Sequence, residues 1–264
     1  MKTVFKTIPI LLVFLLLRVE MMMAVVPTGD TKLALFIRDD FDSFSHEEFV
    51  SFEATYLDML SKLREKDESM KSDEAFLKFM FYKVHRKFLK SYEQQVLFSE
   101  IFRPSGKYDC VTGSALLALF LDDLGYHYRV VETDYHVYLM VESGGREFMM
   151  EATDPLNGFA SDKEEIKERK QIVLSDAQRI NEKLAMSGVS SDFSMGSPKQ
   201  VTVIDNEVGM KELAGLHYYN QSLRAYNNED LRKAYKYITV AQGIYPSKRI
   251  KNASSFIFAM AFSN

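Results

Sequence analysis

The sequence predicts an α+β protein, and three observations lead to that fold class. Apolar residues recur at helical spacing over 46–63 and again over 72–89. A capped apolar helix begins near Cys110, and strand-like runs follow it over 127–153. The chain becomes helical again from about residue 214. We therefore expect a helix packed on an antiparallel sheet, with helices before it and after it.

Length and composition set the broad class of the protein. The chain has 264 residues, of which 47% are apolar and 27% charged, as is usual for a globular protein with a sizeable core. This length predicts one main domain plus an appendage, or two small domains. The net charge is −4 and the pI about 5.8, so no basic surface indicates a nucleic-acid partner.

The N-terminus differs from the rest of the chain. Lys2 and Lys6 precede an uncharged run over 8–17, which is typical of a secretory signal. The run is shorter than the roughly 20 apolar residues that span a bilayer. We expect residues 1–24 to be a signal peptide cleaved near Ala24, which leaves an exported periplasmic or extracellular protein with no stable membrane span. The alternative is an uncleaved N-terminal anchor.

Helix starts can be predicted from capping residues. Ser45 is followed three residues later by Glu48, a capping-box pattern that begins a helix at His46. Ser72 begins the next helix. His46 and His85 fall on these helices without a partner of metal-site type, so we interpret both as surface or packing histidines.

The segment over 108–125 predicts a helix whose first turn holds the only cysteine. Asp109 is the expected cap, and Gly125 ends the helix. A thiol at a helix N-terminus faces the positive end of the dipole, which favours the thiolate form. The small residues Gly113 and Ser114 allow another backbone to approach closely. The alternative is an ordinary buried core cysteine.

Three strands are predicted after this helix, over 127–132, 135–142 and 147–153. The turn between the last two holds Gly144 and Gly145. A two-residue loop would place His136 opposite Thr153, and a three-residue loop would place it opposite Asp154. Directly opposed side chains have Cβ atoms about 4.5–5.5 Å apart, so either register brings Asp154 near His136. His127 has no such partner and is expected to be structural or exposed.

Cys110, His136 and Asp154 together indicate a nucleophile, its base and the group that orients the base. A lone thiol in an exported protein cannot form an intramolecular disulfide, which favours a buried or a functional cysteine. Cys, His and Asp on neighbouring elements are typical of nucleophilic catalysis. The sequence therefore predicts a catalytic triad of Cys110, His136 and Asp154.

The quoted residues resemble a known family. The run YDCVTGSALLALFLDDLGY, then ETDYHVYLMVE, a glycine turn and MEATDPLNGF resemble the transglutaminase-like superfamily, over roughly residues 75–160. The resemblance implies a papain-like core, with Cys110 as nucleophile, His136 as general base and acid, and Asp154 as the orienting residue. Trp is absent, whereas animal transglutaminases have a Trp beside the nucleophile, which argues against that branch.

The implied chemistry is acyl transfer through a thioester acyl-enzyme. The backbone amide of Cys110 and a second donor would bind the oxyanion. Members of the superfamily often use a side chain upstream of the cysteine, for which Gln94 and Gln95 are candidates by type only; the alternative is a solvated surface. No acidic calcium loop is present in the sequence, and neither a cofactor nor a metal is expected.

The patterns divide the chain into four parts. Residues 1–24 are the signal peptide, and residues 25–160 are the transglutaminase-like core with its N-terminal helices. Residues 161–211 are charged and then poor in pattern, so we predict a linker or a lid. Residues 212–264 form a helical appendage that resembles a tetratricopeptide repeat in its second half only. It is expected to pack on the main domain, and a protein partner there is possible.

Three functions are compatible with these residues. The first is an exported cysteine hydrolase, a peptidase or amidase acting on a peptide or protein substrate. The second is an acyltransferase with the same mechanism. The third is a non-catalytic binding protein that keeps the fold and holds a partner with its helical region.

Overall fold

A computed structural model describes residues 32–37, 45–186 and 205–262 of the chain. The predicted signal peptide over 1–24 and its cleavage site lie outside these residues, as does the part of the predicted lid over 187–204. The described residues combine helices with an antiparallel sheet, so the α+β class is confirmed.

Three helices come first. The short α1 covers Ala34–Ile37, α2 covers His46–Ser69 and α3 covers Asp73–Phe88. The Ser45 side chain accepts from the Glu48 amide while the Glu48 side chain accepts from the Ser45 amide, so the predicted capping box is confirmed. The apolar faces of these helices join the main core.

A small parallel pair of strands leads to the cysteine. β1 is Ser91–Tyr92, β2 is Lys107–Tyr108, and a 3₁₀ helix over Phe98–Phe102 lies between them in the chain. The helix α4, Cys110–Asp123, begins directly after β2. Since β2 is hydrogen-bonded to β1, the residues of β1 lie beside the start of α4.

Within the described residues, the main sheet has five strands in the order β6-β5-β4-β3-β7, with every neighbouring pair antiparallel. β3 is His127–Thr133, β4 is Val137–Ser143, β5 is Arg146–Met150, β6 is Phe159–Ala160 and β7 is Asp205–Val208. The predicted sheet therefore gains two further strands that the periodicity did not indicate.

The strand limits correct two expectations. Ser143 pairs with Arg146, so the turn at Gly144 and Gly145 is the two-residue alternative. His136 was expected at the start of a strand, but β4 begins one residue after it. β5 ends at Met150, so the chain leaves the sheet earlier than the predicted end at 153.

Helices cover both faces of the sheet. α4 packs on one face, against Val137 and Leu139 among others. The helix α5, Lys163–Met186, packs on the other face through Ile166, which is 5% exposed. The start of the segment over 161–211 is therefore a helix, and its Ile166 packs with Tyr138 and Met140 of the sheet.

The C-terminal region forms three helices, α6 (Met210–Asn227), α7 (Leu231–Ile244) and α8 (Lys248–Phe262). Buried residues of α6, namely Leu213, Ala214 and Leu216, belong to the main core, and the remaining helices build a second cluster around Ile238 and Ile257. The region is thus packed on the sheet domain, and all of it lies in the same compact unit, which begins at Lys32.

Gly113 marks the closest approach between α4 and the segment after β5. A Cβ atom on Gly113 would lie 2.9 Å from the Ala152 Cβ and 3.0 Å from the Tyr108 Cδ2. One residue along, the Ser114 hydroxyl donates to the Val137 carbonyl at 3.5 Å. The small residues of the first turn therefore let α4 contact both β4 and the end of β5.

Gly113→Ala should lower the free energy of unfolding, measured by urea denaturation. Overpacking a close-packed site costs about 1–3 kcal/mol. The gain in helix propensity, up to about 1 kcal/mol, offsets only part of that cost.

Gly243→Ala is the matched control, because a Cβ on this glycine of α7 meets nothing within 4 Å. It should raise the free energy of unfolding by about 0.5–1 kcal/mol. Equal effects of the same sign in both variants would show that the close contact at Gly113 has no energetic consequence.

Candidate active site

Cys110 is the first residue of α4, as predicted, and its side chain is partly exposed. The cap is Asp109, which is 2% exposed and accepts from the Thr112 amide at 2.7 Å. The Thr112 hydroxyl in turn accepts from the Asp109 amide at 2.8 Å. This capping box fixes the first turn, so the thiol stands at the positive end of the helix dipole.

His136 lies at the tip of the hairpin that joins β3 to β4. The tip is a tight turn in which the Thr133 amide donates to the His136 carbonyl at 2.8 Å. The His136 amide donates to the Thr133 hydroxyl at 3.1 Å, and that hydroxyl donates back to the His136 carbonyl at 3.0 Å. The backbone that carries the imidazole is therefore held on both sides.

The structure brings Cys110 and His136 together. The imidazole hydrogen-bonds with the carboxylate of Glu151 and interacts electrostatically with the Cys110 side chain. Burial opposes protonation of His136, but the interactions with Cys110 and Glu151 outweigh it and raise the pKa of His136 to about 10. At neutral pH the site therefore holds an imidazolium beside the thiol.

Glu151 occupies the place expected for the orienting residue. Its Oε2 faces the Nε2 of His136, while its Oε1 accepts from the Thr153 amide and hydroxyl, each at 2.8 Å. The residue is 8% exposed. Its backbone is closed into a loop by the bond from the Glu151 amide to the Gly158 carbonyl at 2.7 Å. One carboxylate oxygen is thus fixed by the protein, and the other is presented to the base.

The structure does not bring Asp154 to His136, which corrects the third member of the predicted triad. Its Oδ1 accepts from the amides of Leu156 at 3.1 Å and Asn157 at 2.8 Å, so it caps the turn after β5. Its Oδ2 lies 3.7 Å from the Nη1 of Arg169 on α5. The side chain is 38% exposed, and its contacts are those of a turn residue.

The end of β5 explains this difference. β5 pairs with β4 only as far as Met150, which lies opposite Leu139, and the chain turns over 152–153. Glu151, the first residue after β5, therefore stays beside the hairpin tip, whereas Asp154 is carried into the turn.

Tyr92 is a further residue at the site that the sequence reasoning missed. It pairs with Tyr108 across the two small strands, and its ring contacts the Tyr108 ring edge-on at 6.0 Å. Burial raises the pKa of Tyr92 to about 12, and the nearby acidic groups add to the effect. Its hydroxyl therefore stays protonated at neutral pH, although the residue is 51% exposed.

The other residues considered from sequence lie elsewhere. Gln94 is exposed, and Gln95 lies at a turn with a φ of 57°. His85 packs in the core, where its Nε2 contacts the Ala152 carbonyl at 2.7 Å, and burial lowers its pKa. His127 and His46 are exposed.

Neither a membrane-spanning helix nor a metal-binding cluster is present in the described ranges. No helix there combines the length and apolarity needed to cross a membrane. Within 32–37, 45–186 and 205–262, no group of three or more His, Cys, Asp or Glu residues is arranged to hold a metal ion.

No protein-family model, curated protein or solved structure matches the chain significantly. The function must therefore be argued from the chemistry of Cys110, His136 and Glu151.

Glu151→Gln should lower the pKa of His136, because it removes one of the two groups that raise it. NMR titration of labelled histidine measures this directly: the wild-type imidazole should keep its charge until the pH rises through about 10, whereas the variant should lose it at lower pH. Asp154→Asn is the matched control and should leave the titration unchanged. A larger shift in Asp154→Asn than in Glu151→Gln would restore Asp154 as the orienting residue.

Proposed function

We propose that this protein is an exported cysteine hydrolase, a peptidase or amidase, that works through a thioester acyl-enzyme. The observation that carries the proposal is the contact of the His136 imidazole with both the Cys110 thiol and the Glu151 carboxylate. A charged imidazole paired with a carboxylate, next to a thiol at a helix N-terminus, is typical of a reactive cysteine and not of a structural one.

In the first half-reaction, the Cys110 thiolate attacks the carbonyl carbon of an amide or ester. The imidazolium of His136 then gives its proton to the leaving nitrogen or oxygen as the bond to the carbon breaks. The acyl group is left on the sulfur as a thioester. Glu151 keeps the imidazole oriented and stabilises its charged form.

In the second half-reaction, neutral His136 takes a proton from water as the water oxygen attacks the thioester. The carbon–sulfur bond breaks, the acid product leaves, and the thiolate is restored beside the imidazolium. If an amine reaches the thioester before water does, the same steps give transfer instead of hydrolysis. A hydrolase and an acyltransferase would therefore use the same residues in the same steps and would differ only in their products.

The oxyanion of each tetrahedral intermediate needs hydrogen-bond donors. The backbone amide of Cys110 is at a helix N-terminus, where amides have no intrahelical acceptor. The Tyr92 hydroxyl is the best side-chain candidate for the second donor, because Tyr92 pairs with Tyr108, two residues before the thiol, and its hydroxyl stays protonated. It replaces Gln94 and Gln95 in this role.

The arrangement of elements supports the family resemblance. A helix that begins with the thiol packs on an antiparallel sheet, and a hairpin of that sheet supplies the base. This is the layout implied by a transglutaminase-like, papain-like core. The departure from that pattern is the orienting carboxylate, which we assign to Glu151 instead of Asp154.

Cys110 should react with iodoacetamide at pH 6 at least roughly tenfold faster than a model thiol, which is only about 0.3% thiolate at that pH. His136→Ala should slow the reaction strongly, because it removes the adjacent cation. Glu151→Gln should slow it less, since it acts only through the imidazole. The measurement is the alkylation rate across pH 5–10, followed by mass spectrometry.

Cys110→Ser gives the blank for this experiment, since the chain has no other cysteine. The reactive enzyme can then be screened with peptide and amide substrates, with and without an added amine. An alkylation profile like that of a free thiol, unchanged in His136→Ala, would remove the enzyme proposal and leave the binding protein.

Export is tested at the N-terminus. Protein recovered from outside the cytoplasm of its native host should begin near Val25, because the segment over 1–24 has the pattern of a cleaved signal. N-terminal mass spectrometry of the mature protein measures this. Recovery of soluble cytoplasmic protein with an intact Met1 would contradict it.

A further inference from the structure

Arg249, in the first turn of α8, contacts the hairpin tip that carries His136. Its Nη2 donates to the carboxylate of Glu132 in β3. Its Nη1 donates to the backbone carbonyl of Asp134, in the loop between β3 and β4, at 2.7 Å. A single guanidinium therefore holds a strand end and the loop that follows it.

Glu132 makes this contact costly to break. The residue is 1% exposed, and its other oxygen accepts from the Tyr245 hydroxyl at 2.7 Å. A buried carboxylate is tolerated only when it is paired, and removal of its partner leaves an uncompensated charge. Without Arg249, the Glu132 side chain must take up a proton or move toward water, and either change disturbs the end of β3.

Arg249 is itself fixed by the C-terminal helices. Its guanidinium lies over the Tyr219 ring of α6, 5.2 Å from the centroid. The chain just before α8 is held against α6 at Gly215, where a Cβ atom would lie 2.5 Å from the Tyr245 Cβ. The guanidinium is thus presented from a packed platform and not from a flexible tail.

The hairpin tip transmits position to the imidazole. Thr133 follows Glu132 directly, and its amide and hydroxyl make the bonds that hold the His136 backbone. Movement of Glu132 or of the Asp134 carbonyl therefore shifts His136 relative to Cys110. A misplacement of about 1 Å in a catalytic geometry can cost about 100-fold in rate.

We propose that Arg249 is a positioning residue for His136, and that the C-terminal helices complete the active site by holding the hairpin tip. This inference rests on the proposed function, because the position of His136 matters for activity only if His136 is the catalytic base. It gives a role to helices that the sequence indicates only as an appendage. Arg249 does not touch the reacting atoms, so its effect is exerted through the imidazole.

The test compares Arg249→Gln with wild type in two measurements. The pKa of His136, measured by NMR titration, should shift from about 10 toward the ordinary value near 6.5, because the imidazole is displaced from Cys110 and Glu151. Alkylation of Cys110 at pH 6 should slow to a rate between those of wild type and His136→Ala. Arg249→Lys keeps a charge for Glu132 but loses the fork that also reaches Asp134, so its effect should be smaller.

Ile257→Ala is the matched control. Ile257 lies on the same helix, is fully buried in the C-terminal cluster and has no part in the contact with the hairpin. It should lower the melting temperature while leaving the His136 titration and the alkylation profile as in wild type. If Ile257→Ala shifts them as much as Arg249→Gln does, or if folded Arg249→Gln behaves as wild type, the positioning role is refuted. Should Arg249→Gln fail to fold, Arg249→Lys decides the question by the same two criteria.

The outcomes also separate this inference from the proposed function. If His136→Ala leaves alkylation unchanged, the proposed function fails, while the His136 titration in Arg249→Gln still shows whether Arg249 positions the imidazole. If His136→Ala slows alkylation and no Arg249 variant alters either measurement, the enzyme proposal stands and the positioning role falls.

Discussion

The rest of the site depends on the interaction that keeps the imidazole of His136 charged, which is its pairing with the Glu151 carboxylate. Burial alone would discharge the imidazole, and the carboxylate of Glu151 and the thiol of Cys110 together hold the proton. Glu151 can do this because its second oxygen is occupied by Thr153 and its backbone is closed onto Gly158. The carboxylate therefore cannot turn away from the base, so the charge is maintained by a loop of eight residues and not by a single contact.

Close packing converts that local order into a site. The first turn of α4 has no side chain at Gly113, so the segment that follows Glu151 can approach it at Ala152. Any larger residue would push this segment away from Cys110. The same turn contacts the strand that follows His136 through the Ser114 hydroxyl. The small residues at the start of α4 therefore let the segments that carry Glu151 and His136 pack directly against the helix that carries Cys110.

What could be predicted from sequence follows the range of each interaction. Helix starts were predicted correctly at Ser45, Ser72 and Asp109, because a cap is decided by residues three positions apart. Cys110 and His136 were singled out because each begins or precedes an element with a local pattern. Glu151 was missed in favour of Asp154 because the strand was expected to continue to 153, whereas it ends at Met150 and the chain then turns. The packing of α5 on the sheet was missed because its apolar stripe is narrow within a highly charged segment.

The contact between Arg249 and Glu132 belongs to a different class, since 117 residues separate its partners in the chain. No periodicity or cap indicates it, and from sequence each residue is one charge among many. Its role depends on three features of the fold. Glu132 is buried, Asp134 lies in the tip of the hairpin, and the first turn of α8 contacts that tip. The C-terminal helices hold the hairpin tip through Arg249, so the parts that the sequence divides into a core and an appendage both act on the same imidazole.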